Sequence, residues 1–272
     1  MWNRRGFPKN NISCFVYFSF NIRYDIYMSE ICIKINDINK FYGNRQVLRN
    51  VSFEVPFASV YGLLGPSGCG KTTTVKIISG ILEASSGEAY VLDGKMPSLK
   101  LMSRIGYMAQ SDALYPDLSA RENMEFFGAL YGITGKAFEK RFDEVMTLVN
   151  LGDDKNKAVG AYSGGMKRRL SLAMAILHEP PVLILDEPTV GIDPLLRKTI
   201  WDEFYRMTEG GVTILVTTHV MDEAGKCTHL SMMRSGSLII SGSPDAIQAK
   251  ANVSSLEEAF LFFGREGGSD ES

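Results

Sequence analysis

Two short stretches of this sequence hold residues whose types and spacing suit phosphate chemistry. The first is Gly65-Pro66-Ser67-Gly68-Cys69-Gly70-Lys71-Thr72, which matches GxxxxGK[ST] and is followed by Thr73. Glycine at 68 and 70 admits backbone torsions that a Cβ forbids, so successive N–H groups converge on phosphate oxygens. A helix opening directly after such a loop adds positive potential at the same place. Lys71 is then placed to neutralise β- and γ-phosphates, and the Thr72 hydroxyl to ligate Mg²⁺. The plain alternative is a tight glycine turn with an exposed lysine. The second stretch, Leu183-Ile184-Leu185-Asp186-Glu187, is an apolar run ending in two carboxylates. Asp186 suits holding Mg²⁺, directly or through water, and Glu187 suits polarising a water that attacks the γ-phosphate. Two acids closing a buried run also serve as simple strand-end solvation.

Cys69 lies inside the glycine loop. A thiol beside Lys71 and a helix N-terminus is expected to titrate low and to be alkylated in competition with nucleotide. A small residue that merely fits a crowded loop is the other reading. Gln110 and His219 each close a short apolar run. Singly they are unremarkable, and they gain weight only from the phosphate loop and the paired acids.

These residues need elements to position them. Ile31 to Ile35 and Val47 to Val55 alternate apolar and polar residues as strands do. Val60 to Leu64 is a short apolar run into the glycine loop, and Lys71 to Ser79 reads as a helix stopped by Gly80. Ile105 to Ala109 is a further strand. Val182 to Leu185 and Thr213 to Thr217 read as buried parallel strands, with Asp193-Pro194 as N-cap and first residue of the helix between them. Strand, helix, strand in that order implies parallel pairing. Between the two units, Ser119-Ala120-Arg121-Glu122 forms a capping box for a helix rich in Phe126, Phe127, Leu130 and Tyr131. Lys136 to Leu151 follows as a second amphipathic helix carrying Phe138, Phe142, Val145, Leu148 and Val149 on one side. Residues 111–178 are thus read as a helical insert in a mostly parallel α/β core.

Composition bounds the rest. The chain has 272 residues, 45% hydrophobic and 22% charged, as in ordinary globular proteins. Its 29 basic and 31 acidic residues leave a net charge of −2, which gives no basic surface for nucleic acid. No apolar run reaches the roughly 18–20 residues that a spanning helix needs, so membrane work falls to a partner. Cys14, Cys32, Cys69 and Cys227 show no CxxC pairing, which disfavours zinc and fits reduced thiols. Residues 1–28 start basic and turn apolar like a signal peptide, yet no small-residue cleavage site follows. They are read as an N-terminal extension, disordered or upstream of a natural start at Met28. The domain proper is placed at 29–243, with C-terminal helices and a frayed tail at 244–272.

One further motif defines the class. Tyr162-Ser163-Gly164-Gly165-Met166-Lys167-Arg168-Arg169-Leu170 opens an apolar helix. It resembles the LSGGQ signature of ATP-binding-cassette (ABC) ATPases, and the pieces stand in that family's order over residues 31 to 242. The resemblance implies a P-loop NTPase fold of the ABC type, with an antiparallel N-terminal β part and a helical subdomain. It implies an adenine-stacking Tyr42, a Walker A loop over 65–73, a Q-loop at Gln110 that helps hold Mg²⁺, a Walker B strand ending at Asp186 and Glu187, a D-loop through Asp193, and a switch His219. Ser163, Gly164 and Gly165 of one copy then cap the γ-phosphate held by Lys71 of another, so the family works as a dimer with ATP and Mg²⁺ buried between two cassettes. Tyr162 and Met166 replace the consensus Leu and Gln. YSGGM with its basic run resembles the ABC-2 exporters, which implies a transmembrane permease partner at the cytoplasmic face of the membrane, export of drugs or lipids, and slower hydrolysis than in LSGGQ members. Lys167, Arg168 and Arg169 oppose the usual acidic preference of a first helical turn, a conflict that a bound phosphate would relieve, and singly each is read as part of a solvated face. Two other classes fit less well. Cassette proteins acting on ribosomes or DNA carry paired cassettes or long coiled coils, and a GTPase wants an NKxD motif that Asn39-Lys40-Phe41-Tyr42 and Asn156-Lys157-Ala158-Val159 lack.

Overall fold

A computed structural model of the chain describes residues 30–111 and 113–266. The extension at 1–28 with Cys14, and the tail after Glu266, lie outside the described residues. Cys32, Cys69 and Cys227 are free and buried.

The chain opens as a hairpin of two long strands, β1 (Ile31–Tyr42) and β2 (Arg45–Pro56). β1 continues past the expected Ile35. Ile35 and Ile38 are both buried although three positions apart, which simple alternation forbids; a bulge with Asp37 at φ +47 resets the register. β3 (Val60–Leu64) then leads through the glycine loop into α1 (Lys71–Ile78). β4 (Ser86–Val91) and β5 (Gly94–Lys95) complete an antiparallel sheet in the order β2-β1-β4-β5. After the short α2 (Leu99–Met102), β6 (Ile105–Met108) returns to the parallel core.

The insert consists of α3 (Ala120–Leu130), α4 (Gly135–Leu148) and α5 (Gly164–Ile176), with two 3₁₀ turns between α4 and α5. The Ser119/Glu122 capping box forms as expected. Phe138, Phe142, Val145 and Met146 of α4 pack with Leu170 and Ala173 of α5. The aromatic residues of α3 do not join them: its buried positions are Ala120, Asn123, Met124 and Gly128, while Phe126, Leu130 and Tyr131 face outward.

β7 (Val182–Asp186), α6 (Pro194–Glu209), β8 (Thr213–Thr218), α7 (Met221–Ala224), β9 (His229–Arg234) and β10 (Ser237–Gly242) complete the second sheet. Its order is β10-β9-β3-β8-β7-β6, parallel except for β10. Every residue of β3, β7 and β8 is buried, as strands covered on both faces require. α1 lies between the sheets: Val75, Ile77 and Ile78 share a cluster with Ile33, Ile35 and Leu48 on one side and Leu63, Ile184 and Leu215 on the other. α8 (Pro244–Ala251) and α9 (Leu256–Glu266) pack through Ile247, Leu256, Ala259 and Phe263 on Leu64, Leu230 and Met232. Residues from Arg265 onward read as a frayed Gly-, Ser- and acid-rich tail in the sequence; Arg265 is instead helical, within α9.

One turn ties the phosphate loop to both sheets. Between β9 and β10, Gly236 donates its N–H to the Cys69 carbonyl (3.0 Å) and accepts the Arg49 N–H (2.8 Å). Its φ is +85, and a Cβ there would stand 2.3 Å from the Val47 carbonyl oxygen. Backbone cannot yield as a side-chain tip can, so Gly236→Ala is expected to destabilise the fold by about 1–3 kcal/mol. Urea unfolding of the variant measures this; an unchanged midpoint contradicts the bridging role.

Candidate functional site

The phosphate loop spans the end of β3 and the start of α1. Gly68 and Gly70 adopt φ +79 and +111, and Gly70 caps α1 without any side-chain hydrogen bond. Gly65 is needed for a different reason: a Cβ there would stand 2.4 Å from the Met233 carbonyl oxygen. Pro66, Ser67 and Gly68 are exposed, while Thr72 and Thr73 are half-buried on the first turn. Lys71 is buried, and its Nζ donates to the carbonyls of Gly65 (2.7 Å) and Pro66 (3.1 Å). This is not the exposed lysine of a plain glycine turn. The ammonium is held by the loop's own carbonyls, which take two of its three donors.

The expectation for Cys69 needs correction. Its side chain is 3% exposed, and burial pushes the thiol up despite the opposing charge of Lys71. Its Sγ fills the space beneath Gly65, 2.7 Å from where a Cβ of that residue would be. Desolvation, which sequence position does not reveal, outweighs the nearby cation. The small residue fitting a crowded loop is the reading that stands.

Both acids sit at the tip of β7. Asp186 is buried; one oxygen accepts the Thr217 hydroxyl, and Oδ2 has no hydrogen-bond partner among the described residues. Glu187 has φ +54, a left-handed backbone that costs a residue with a Cβ roughly 1–2 kcal/mol. Its N–H donates to the Thr217 carbonyl and hydroxyl, both at 3.1 Å. Its carboxylate lies 3.0 Å from Nδ1 of His219, which follows β8. The carboxylate side chain is 12% exposed and the imidazole 44%, so the pair sits at the rim of the core and opens to solvent. Gln110 leaves β6 beside this tip with its side chain exposed.

Arg168 joins these segments. The basic triplet was expected to be a solvated face; instead Arg168 is 7% exposed. Its guanidinium donates to the carbonyls of Ala109 (2.8 Å), Gln110 (2.9 Å), Glu187 (2.7 and 3.1 Å) and Asp186. Arg169 likewise turns to backbone, on Val149 and Asn150 past the end of α4. Glu223 of α7, 2% exposed, accepts from the Thr189 and Thr218 hydroxyls and pairs with Arg197, tying the segment after Glu187 to the one before His219. Nothing in the sequence singles out Thr217 or Glu223, and the Arg168 contacts differ from the solvated face that its triplet suggests.

The remaining residues lie at the surface. Tyr42 is 51% exposed at the hairpin end, with Lys40 Nζ 5.4 Å from its ring centre. The same hairpin sets Leu48 against Gly70. Ser163 caps α5 by accepting the Met166 N–H (3.2 Å); Ser163 and Gly164 are exposed, and Gly165 backs onto the Gly191 carbonyl. Asp193 caps α6 through the Leu196 N–H (3.0 Å), as its place before Pro194 predicts.

A phosphate loop feeding a parallel sheet, a helical insert opening on a Ser-Gly-Gly turn, and an antiparallel sheet against the loop define an ATP-binding cassette. Residues 48–190 match the family model described as ABC transporter. Over 239 residues the chain is 39% identical to the probable multidrug ABC transporter ATP-binding protein YbhF of Escherichia coli (strain K12). That alignment covers 85% of this chain and 41% of YbhF, so the chain spans less than half of that relative. It is 36% identical over 242 residues to the linearmycin resistance ATP-binding protein LnrL of Bacillus subtilis (strain 168), covering 84% and 77% of the two chains. Among solved structures, an ATP-binding subunit of an ABC transporter superposes with a TM-score of 0.80 at 25% identity, over 86% of this chain and 99% of that one. The dimeric post-hydrolysis cassette MJ0796 bound to ADP and Pi gives 0.72 at 25% identity, over 78% and 98%. The chain belongs to the ABC transporter family.

The buried, raised thiol makes a direct forecast. At pH 7.5 Cys69 of the folded protein is expected to react with a maleimide at least about tenfold more slowly than after unfolding in urea, as structural buried thiols do. Intact-mass kinetics with peptide mapping measure this; equal rates contradict the burial.

Proposed function

We propose that the chain binds and hydrolyses ATP as the cassette subunit of an ABC-2 type exporter. The observation that carries this is the strand tip, where a carboxylate in a left-handed backbone is aimed at a histidine beside a preformed phosphate loop. Backbone N–H groups of residues 67–73 and the Lys71 ammonium bind the phosphates, and the exposed ring of Tyr42 stacks on the adenine. Glu187 orients the attacking water and takes its proton, while His219 holds Glu187 in line and reaches the γ-phosphate. Most of the rate comes from positioning and fixed charge, as phosphoryl transfer requires.

The residues present fit Mg²⁺. Among the described residues no group of three or more His, Cys, Asp or Glu side chains forms a metal cage. A few oxygen donors beside a phosphate site are instead what a nucleotide-borne Mg²⁺ uses. Thr72, Gln110 and the unpartnered Oδ2 of Asp186 are the donors that would hold it, and it supplies charge neutralisation at the β- and γ-phosphates.

The exposed Ser163-Gly164 turn at the start of α5 presents unpaired N–H groups and partial positive charge to solvent. In our reading it meets the γ-phosphate of a second cassette, in a homodimer or a heterodimer; MJ0796 is itself a dimer with ADP and Pi. A transmembrane permease is the other partner. A largely apolar groove of about 440 Å³ opens between β6, α3 and α5, lined by Ile81, Met102, Phe127, Leu130 and Tyr131 and flanked by the segment of Gln110. An apolar permease segment seated there covers Leu130 and Tyr131 at the end of α3 and links permease motion to the site. No helix among the described residues is long and apolar enough to cross a membrane. The chain then sits peripherally on the cytoplasmic face. YbhF and LnrL are named for multidrug transport and linearmycin resistance, which supports hydrophobic compounds as cargo.

Glu187→Gln tests the reading. It is expected to lower hydrolysis about 100-fold or more, the worth of a positioned general base. An ATP-dependent dimer is expected to accumulate, seen by size-exclusion chromatography in Mg·ATP. A variant that hydrolyses at the parent rate, or stays monomeric with ATP bound, contradicts it.

A further inference from the structure

We infer that Arg168 is a positioning residue for hydrolysis, fixing the left-handed backbone of Glu187 and so the aim of its carboxylate. The inference rests on the proposed role of Glu187 as the residue that activates water.

The direction of the Glu187 Cα–Cβ bond is set by the two peptide units that flank it. The unit before it is held by Thr217, whose carbonyl and hydroxyl both accept the Glu187 N–H at 3.1 Å. The unit after it is held chiefly by Arg168, whose Nε and Nη2 donate to the Glu187 carbonyl at 3.1 and 2.7 Å, with the Val190 N–H a longer third donor at 3.5 Å. With both units pinned, φ stays at +54 and the carboxylate stays 3.0 Å from His219 Nδ1. Release of the carbonyl side lets the residue relax toward negative φ, which turns its Cβ and carboxylate away.

The guanidinium is committed to this task. An arginine has five N–H donors in a planar fork. Those of Arg168 go to the carbonyls of Ala109, Gln110, Asp186 and Glu187. A buried cation is tolerated here because carbonyl oxygens surround it and take all of its donors. It therefore acts on its own chain's β7 tip and Gln110 segment, not as a phosphate receptor. A lysine offers a point charge and three donors without the fork, and cannot bridge the same carbonyls.

The test uses the full chain with Mg·ATP and four variants: Arg168→Gln, Arg168→Lys, Glu187→Gln and the double variant with Gln at both positions. Arg168→Gln is expected to lower kcat about tenfold or more, with KM and affinity for Mg·ADP changed less than about threefold, the pattern of a group that acts in the transition state only. Arg168→Lys is expected to fall likewise, and it carries the test if the Gln variant does not fold. In the double variant the residual rate is expected to match that of Glu187→Gln within about twofold, because residues acting as a unit are not additive. Parent-like kcat in Arg168→Lys or Arg168→Gln overturns the inference. So does a proportional loss of Mg·ADP affinity, which marks a general structural role, or a double variant in which the two losses multiply. Failure of the underlying reading is distinct: Glu187→Gln itself then hydrolyses ATP at the parent rate.

Discussion

A carboxylate at the end of a buried strand is aimed only if the peptide units on both sides of it are held. At the tip of β7 both are. The left-handed backbone of Glu187 carries a cost of order 1–2 kcal/mol, and hydrogen bonds from one strand and one helix sustain it. Such strain persists only where the surroundings over-determine it. Here the surroundings come from β6, α5, β7 and β8, and each brings a part of the site with it. β6 brings Gln110, α5 begins with the Ser163 turn, and β8 ends before His219.

The second half of the site depends on the same economy of backbone contacts. The phosphate loop is wedged between the sheets, with α1 behind it, Leu48 against Gly70, Met233 against Gly65 and the Gly236 turn bonded to Cys69. Backbone and side chains share in its shape, with the Cys69 sulfur filling the space beneath Gly65 and Lys71 closing the loop from within. A loop fixed on so many sides keeps its backbone in place when, in our proposal, an anion arrives and Lys71 exchanges its carbonyl partners for it. The Ser163 turn is the exception: it faces solvent, and in our proposal a second cassette covers it.

Local signals were legible in the sequence and long-range ones were not. The glycine loop, the apolar runs of β3, β7 and β8, the Asp193-Pro194 start and the Ser119/Glu122 box each depend on a few adjacent residues, and each appears where expected. The bulge at Asp37 could have been found from the three-residue spacing of Ile35 and Ile38. Thr217 reads as an ordinary strand former, and nothing local shows that its hydroxyl serves both acids. Arg168 sits in a basic triplet at a helix start, where solvation is the usual fate; only the fold brings carbonyls from residues 109, 110, 186 and 187 around it. Cys69 was misjudged because proximity to Lys71 is visible in sequence and burial is not. Leu130 and Tyr131 at the end of α3 face outward for the converse reason: their covering surface lies outside this chain in the reading proposed here.

The most direct measurement is a high-resolution structure of the chain with Mg²⁺ and a non-hydrolysable ATP analogue. The account predicts the terminal phosphate between Lys71 of one copy and the Ser163 turn of another. It also predicts Glu187 still in its left-handed conformation, bonded to Arg168 through its carbonyl and to His219 through its carboxylate. A terminal phosphate contacted by one copy alone, or a Glu187 relaxed to negative φ with Arg168 turned away, would contradict it.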